Sequence, residues 1–180
     1  MLALRDAMTD GERAAASAAI CDAANALLAE RLSPDAVVAL YSAKGSEVDT
    51  ARIDRFARGQ GLVVAYPRVI AKARQLAFHA VTLDELAPSQ FGLREPNADA
   101  PGVAVTDIAA FLVPGLAFDR SGGRLGWGRG HYDATLAAAS PSALRVGLAY
   151  ECQLIEQVAC EAHDVALHII ITEVSTHMVV

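Results

Sequence analysis

The feature that most constrains this chain is a recurrence of short, β-branched apolar runs, each too brief for a self-supporting helix and bounded by turn residues. Ala36 to Tyr41 reads AVVALY, Leu62 to Tyr66 LVVAY, Ile108 to Val113 IAAFLV and Leu167 to Thr172 LHIIIT, with Arg145 to Ala149 a further run. Continuous apolar runs without polar alternation belong to strands covered on both faces. Helical segments stand between them. Thr9 to Arg31 is rich in alanine and leucine, with Thr9 and Glu12 spaced for a capping box and Ser33-Pro34 as its stop. Asp49 is expected to cap a helix over Thr50 to Arg58, which Gly59 and Gly61 end. His131 to Ala139 is the next helix, closed by Ser140-Pro141.

Less regular stretches fill the gaps. Pro67 is read as the end of the second run, and Gln75 to Val81 as a strand exposed on one face. Thr82 and Glu85 make a second capping box, and the stretch from Pro88 to Thr106, with Pro96, Pro101, Gly92 and Gly102, a long surface connection. Strands alternating with helices predict an α/β fold: one three-layer α/β/α domain over residues 1–180 with a mostly parallel sheet. Ligands of open sheets bind beyond the carboxyl ends of the strands, which directs attention to the loops after Tyr41, Val113 and Ala149.

Composition narrows the class. A chain that is 53% hydrophobic and 20% charged is globular rather than disordered, and a net charge of -6 argues against a broad nucleic-acid footprint. Cys21, Cys152 and Cys160 have no CxxC spacing, as expected of reduced thiols. The apolar stretch Ile108 to Phe118 is too short to span a bilayer and contains Pro114 and Gly115. With no leader-like start, the expectation is a cytoplasmic protein, monomeric, with no membrane or nucleic-acid partner.

The segment from Gly122 to Gly130 carries the chemistry. Five of its nine residues are glycine, which lets backbone N–H groups approach an anion closely. Arg120, Arg124 and Arg129 bring positive charge to the loop, and the following helix would offer its N-terminal amides. Asp133 is an oxygen donor where a phosphate-bridging magnesium would need one, or else a first-turn helix charge. Neither the P-loop nor the dinucleotide fingerprint fits, since Arg129-Gly130-His131 replaces the lysine and hydroxyl of the first, and His131 the last glycine of the second. The residues alone give an anion site of the kind that suits phosphate.

Motifs along the whole chain resemble the 5-formyltetrahydrofolate cyclo-ligase family. They are Leu4-Arg5, Tyr41 with Glu47-Val48-Asp49-Thr50, Tyr66-Pro67-Arg68-Val69, Phe91-Gly92-Leu93-Arg94-Glu95-Pro96, Val113-Pro114-Gly115 through Tyr132-Asp133, His163-Asp164-Val165 and Ile170-Ile171-Thr172. The resemblance implies a CoA-transferase-like sheet and an ATP- and Mg2+-dependent enzyme that converts 5-formyltetrahydrofolate to 5,10-methenyltetrahydrofolate. ATP would phosphorylate the formyl oxygen, folate N10 would attack the activated carbon, and ADP and phosphate would leave. It further implies an ATP site of Arg5, Arg124, Leu125, Gly126, Trp127, Gly128, Arg129, Gly130, His131 and Tyr132, with Arg129 and Arg124 catalytic. Tyr41 and Glu47 would contact folate, and Asp133 and Asp164 would ligate magnesium. Read without the resemblance, Glu47 is also a solvated loop charge, Asp164 a turn cap, Tyr41 strand-end packing and Trp127 an exposed loop residue. The family commonly has lysine at the position of Met1, tyrosine at His131 and aspartate at His168. A non-catalytic nucleotide- or folate-binding relative of the same fold is the alternative.

Overall fold

The computed structural model describes residues 2–89 and 92–179; Met1 and Phe91, both named above, lie outside the described residues. Its centre is an eight-stranded sheet in the order β12-β11-β10-β7-β1-β2-β3-β6. The strands are β1 (Val37–Ala39), β2 (Val63–Val69), β3 (Leu76–Ala80), β6 (Gly102–Val103), β7 (Ile108–Val113), β10 (Leu144–Leu148), β11 (Ile169–Ile171) and β12 (Thr176–Met178). The five from β11 to β2 run parallel, while β12, β3 and β6 are antiparallel additions at the two sides. Among the described residues, four α-helices accompany them: α1 (Leu2–Asp6), α2 (Asp10–Arg31), α3 (Ala51–Gly59) and α4 (His131–Ala138).

The period of two along each strand sorts the apolar residues into two cores. Val38, Leu40, Val64, Tyr66, Leu112, Leu148 and Ile171 join Ile20, Leu28 and Ile53 of α2 and α3. Ala39, Ala65, Phe111, Val113 and Ile170 face the other way, toward Leu136 of α4. This is the expected three-layer arrangement, with strands buried on both faces. Phe78 and Phe111 meet edge-on in the second core, their centroids 5.7 Å apart.

Four local expectations need correction. Strand β2 runs through Pro67 to Val69, because its pairing with β1 ends at Ala65 and the proline there needs no donor toward that side. No residue of β3 is exposed, since the β6 strand and α4 cover it. Asp49 is not the N-cap of α3; Thr50 holds that position, and Asp49 instead accepts from Ala51 N at 2.9 Å. The 88–106 connection is not wholly irregular. It contains β5 (Arg94–Glu95), paired with β4 (Ala87–Pro88), and then β6. Both capping boxes, Thr9 with Glu12 and Thr82 with Glu85, form as expected.

Sheet order is what places the site. The chain runs outward from β1 through β2, β3 and β6, then returns to β7 on the other side of β1 and continues to β12. The reversal leaves a crevice where loops leaving β1 and β7 part, the position at which open sheets bind ligands.

Candidate active site

A cleft of about 620 Å³ opens at these carboxyl ends, within the usual size of a small-molecule site. Its walls include Tyr41, Lys44 and Glu47 after β1, Pro67 and Val69 of β2, Pro114 after β7, the stretch Arg124 to Asp133, and Glu161, His163 and Asp164. Every site residue expected from the sequence lines it except Arg5. That residue is buried in α1, where Nε donates to Ser46 Oγ at 2.9 Å and Nη1 reaches Gly115 O at 3.4 Å. Arg5 therefore ties the loop carrying Glu47 to the loop leaving β7, behind the cleft wall. Arg120, exposed on a turn, is likewise outside the lining.

The five loop glycines divide into two groups. Gly122 and Gly123 are packing positions: a Cβ on Gly122, which also holds φ of +88°, would stand 2.6 Å from Leu167 O, and one on Gly123 2.5 Å from Asp119 Oδ2. Buried Asp119 organises this turn by accepting from Ser121 N, Ser121 Oγ, Gly123 N and Val158 N at 2.6–3.0 Å. Burial alone would raise the Asp119 carboxyl, but these donors outweigh it and hold the group below the ordinary carboxylate range. The hairpin β8 (Ala117–Phe118) with β9 (Arg124–Leu125) then carries the chain to the cleft.

Gly126, Gly128 and Gly130 form the second group. Gly128 and Gly130 have φ of +74° and +63°, with nothing within 4 Å of a built Cβ, so here glycine serves backbone conformation. Among the described residues, no backbone acceptor takes the N–H of Gly126, Gly128 or Gly130. Gly130 is the N-cap of α4, so the amides of the first turn point out of the helix beside these three. The part of the loop whose backbone amides are turned to the cleft is thus 126–132, shorter than the glycine cluster suggests.

Charged groups are arranged around it. Arg124 Nη2 lies 3.1 and 3.0 Å from the two oxygens of Asp133, and the guanidinium stands 5.4 Å from the centroid of the Tyr132 ring. Arg124 is almost wholly buried, and its Nε has no partner among the described residues. Arg129 is exposed on the lining. Val165 N reaches Asp133 Oδ1 at 3.4 Å, which brings Asp164 beside the start of α4. Asp164 Oδ2 also accepts from Glu161 N at 2.7 Å, so its turn-capping role is real as well. Among the described residues no group of three His, Cys, Asp or Glu is set to hold a metal.

At the other end, Glu47 Oε2 accepts from Lys44 N at 2.9 Å. Burial pushes the Glu47 carboxyl up, and the Lys44 N–H and the Arg5 charge offset it only in part. Glu47 is half-buried on the cleft wall, its carboxylate held by the Lys44 backbone. Tyr41 lines the same end with its hydroxyl donated to Val48 O at 3.0 Å. Half-buried Tyr132 packs against the second core at the start of α4, and His131 Nδ1 donates to Arg74 O at 2.8 Å. Residues that sequence reasoning did not select include Lys44, Arg94, Glu95 and Glu161. For Lys44 the signal was its place just beyond a parallel strand; for Arg94 and Glu95, their place in a motif already quoted.

Comparison with known proteins identifies the family and the fold. The profile of the 5-formyltetrahydrofolate cyclo-ligase family matches residues 1–173. A 5-formyltetrahydrofolate cyclo-ligase of Mycolicibacterium smegmatis is 40% identical over 88 residues, covering 48% of this chain and 45% of that one, so the match spans under half of that relative's length. The Escherichia coli K12 protein of the same name is 30% identical over 141 residues, covering 75% and 76%. The solution structure of an Aquifex aeolicus 5,10-methenyltetrahydrofolate synthetase superposes with a TM-score of 0.82 at 27% identity, covering 99% of this chain and 88% of that one.

Proposed function

The chain belongs to the 5-formyltetrahydrofolate cyclo-ligase family, and on that premise we propose that it is an enzyme which uses ATP to close 5-formyltetrahydrofolate into 5,10-methenyltetrahydrofolate. One observation carries the reading: the glycine–arginine stretch 126–132 and the half-buried Glu47 face a single cleft. A phosphate-binding half and a half with a desolvated carboxylate acceptor are what ATP and a pterin bearing N–H groups require.

In this reading the protein contributes positioning and charge. The amides of 126–132 hold the phosphate chain, and exposed Arg129 stabilises the transferring phosphoryl. Folate N10 is the nucleophile, so no side-chain nucleophile is needed. Glu47 accepts pterin N–H groups, with Tyr41 as the adjoining wall. Asp133 and Asp164 are hard oxygen donors flanking the start of α4, a set suited to a magnesium ion that keeps its remaining bonds for phosphates and water. When bound, such an ion supplies neutralisation of phosphate charge. Arg124, fixed on Asp133 and Tyr132, acts by holding that carboxylate in place; this is a narrower part than phosphoryl stabilisation.

The test is direct. Purified protein with Mg-ATP and 5-formyltetrahydrofolate is expected to develop the near-ultraviolet absorbance of the methenyl product. Binding of both compounds without that absorbance would identify a non-catalytic relative instead.

A further inference from the structure

The loop that presents Glu47 is fixed from behind, by side chains rather than by a ladder. Among the described residues, no backbone group bonds the carbonyls of Glu47, Val48 and Asp49 or the N–H of Asp49. Each finds a side chain instead. Tyr150 Oη donates to Glu47 O at 3.4 Å, Tyr41 Oη to Val48 O at 3.0 Å, and Cys21 Sγ to Asp49 O at 3.1 Å. Asp49 N donates to Ser17 Oγ at 3.3 Å, and Ser17 Oγ stands 2.9 Å from Tyr150 Oη. The protons of this set run in one direction. A carbonyl only accepts, so the Tyr150 proton is committed to Glu47 O, and Ser17 must give its own to Tyr150. A relay therefore leaves the loop at Asp49 N–H, crosses Ser17 of α2 and Tyr150 after β10, and returns to the same loop at Glu47 C=O. Both hydroxyl residues are buried at the first core, and neither lines the cleft. Hydroxyls so placed are costly unless satisfied, and the relay satisfies both.

We propose that Ser17 and Tyr150 are positioning residues for Glu47: their relay clamps peptide 47–49 so that the Glu47 side chain enters the cleft at a fixed depth. The carbonyl that Tyr150 holds is Glu47's own, one bond from the atom that bears the side chain. Tying the loop there and again at Asp49 limits how far that atom swings. A carboxylate already in place costs less to order when a ligand arrives, so the relay sets affinity for the folate. The phosphate half of the cleft, built on 126–132, is held by other contacts and is left as it was. The inference rests on the cyclo-ligase reading, because it takes a pterin to be the partner of Glu47.

Tyr150→Phe and Ser17→Ala each delete one hydroxyl and keep the packed shape, and should one fail to fold, the other decides. Steady-state kinetics of the intact protein with Mg-ATP and 5-formyltetrahydrofolate are the measurement. Either variant is expected to raise the folate KM about threefold to tenfold, the scale of one hydrogen bond, with the ATP KM unchanged. The double variant is expected to match the larger single effect, because one broken link already opens the relay. Amide exchange at Asp49 is expected to quicken in Ser17→Ala with no ligand present. A merely structural role would lower the melting temperature and leave the folate KM where it was. An unchanged folate KM in the single variants, an equal rise in the ATP KM, or effects that multiply in the double variant overturns the relay and leaves the cyclo-ligase reading standing. A parent protein that neither binds nor converts folate overturns that reading, and the claim on folate affinity with it.

Discussion

A single nitrogen of Arg124 reaches both carboxylate oxygens of Asp133, at 3.1 and 3.0 Å, joining the strand that enters the phosphate loop to the helix that leaves it. Both partners are largely shielded from water. Removing one member of such a pair strands the other, so the two substitutions are not equivalent in their effects.

Asp133→Asn keeps an oxygen for Arg124 and Val165 but loses the charge. It is expected to lower turnover by about 10²-fold, the scale of losing a preorganised charge-stabilising group. Asp133→Ala is expected to cost in addition about 3 kcal/mol of fold stability, read from urea unfolding. Normal magnesium dependence with unchanged turnover in Asp133→Asn would remove Asp133 from the site.

Glu47 sets function against stability. Burial raises its carboxyl in the folded protein, so between its unfolded value of 4.5 and the folded value the native state binds more protons than the unfolded one. Stability therefore falls as pH rises through that window. Glu47→Gln is expected to remove this slope and to melt at a higher temperature at neutral pH, while kcat/KM for folate falls by about 10²-fold. Thermal melts at several pH values and steady-state kinetics check both arms.

His168 and Arg145 are mismatched. Arg145 N points at His168 Nδ1 at 3.2 Å, and Arg145 Nε at Nε2 at 3.2 Å, yet a neutral imidazole can accept at only one nitrogen. Burial, with the Arg145 charge second, lowers the His168 pKa from 6.5. Its contribution to stability is complete above about pH 6.5 and is lost as pH falls through the folded value. An aspartate at this position could accept both donors. His168→Asp is expected to stabilise the protein by about 1 kcal/mol at pH 7 and to flatten the decline between neutral and mildly acidic pH, measured by urea midpoints.

Asp119 is the anchor beneath the loop. Asp119→Asn would set an amide N–H against one of four donors that now converge on the carboxylate. A loss of about 2 kcal/mol is expected, and about 4 kcal/mol for Asp119→Ala, by chemical unfolding.

The strands were legible because burial on both faces leaves an unbroken apolar run, as in AVVALY and IAAFLV. Pro67 was misread because its place beyond the end of β1 depends on register, which composition does not carry. Helix α1 escaped notice: five residues give no period, and Leu2 and Leu4 are exposed. The glycine–arginine loop and Glu47 were readable, the first from chemistry and the second through family resemblance. Which glycines serve packing and which serve conformation was not, since that distinction lies in Leu167 and Asp119, far or turned away in sequence. Lys44, Arg94 and Glu95 meet only through the order of strands, and period alone leaves that order open.

The Arg5 bridge has a consequence for assembly. Its partners are 41 and 110 residues downstream, so the two rims of the cleft are drawn together by a residue that waits at the chain's beginning until the seventh strand has been laid down. The sheet can form before that link closes, and on partial denaturation the link can open while the sheet survives. Loosening at the first helix would thus reach the site as slack between the two halves of the cleft, well ahead of any loss of secondary structure.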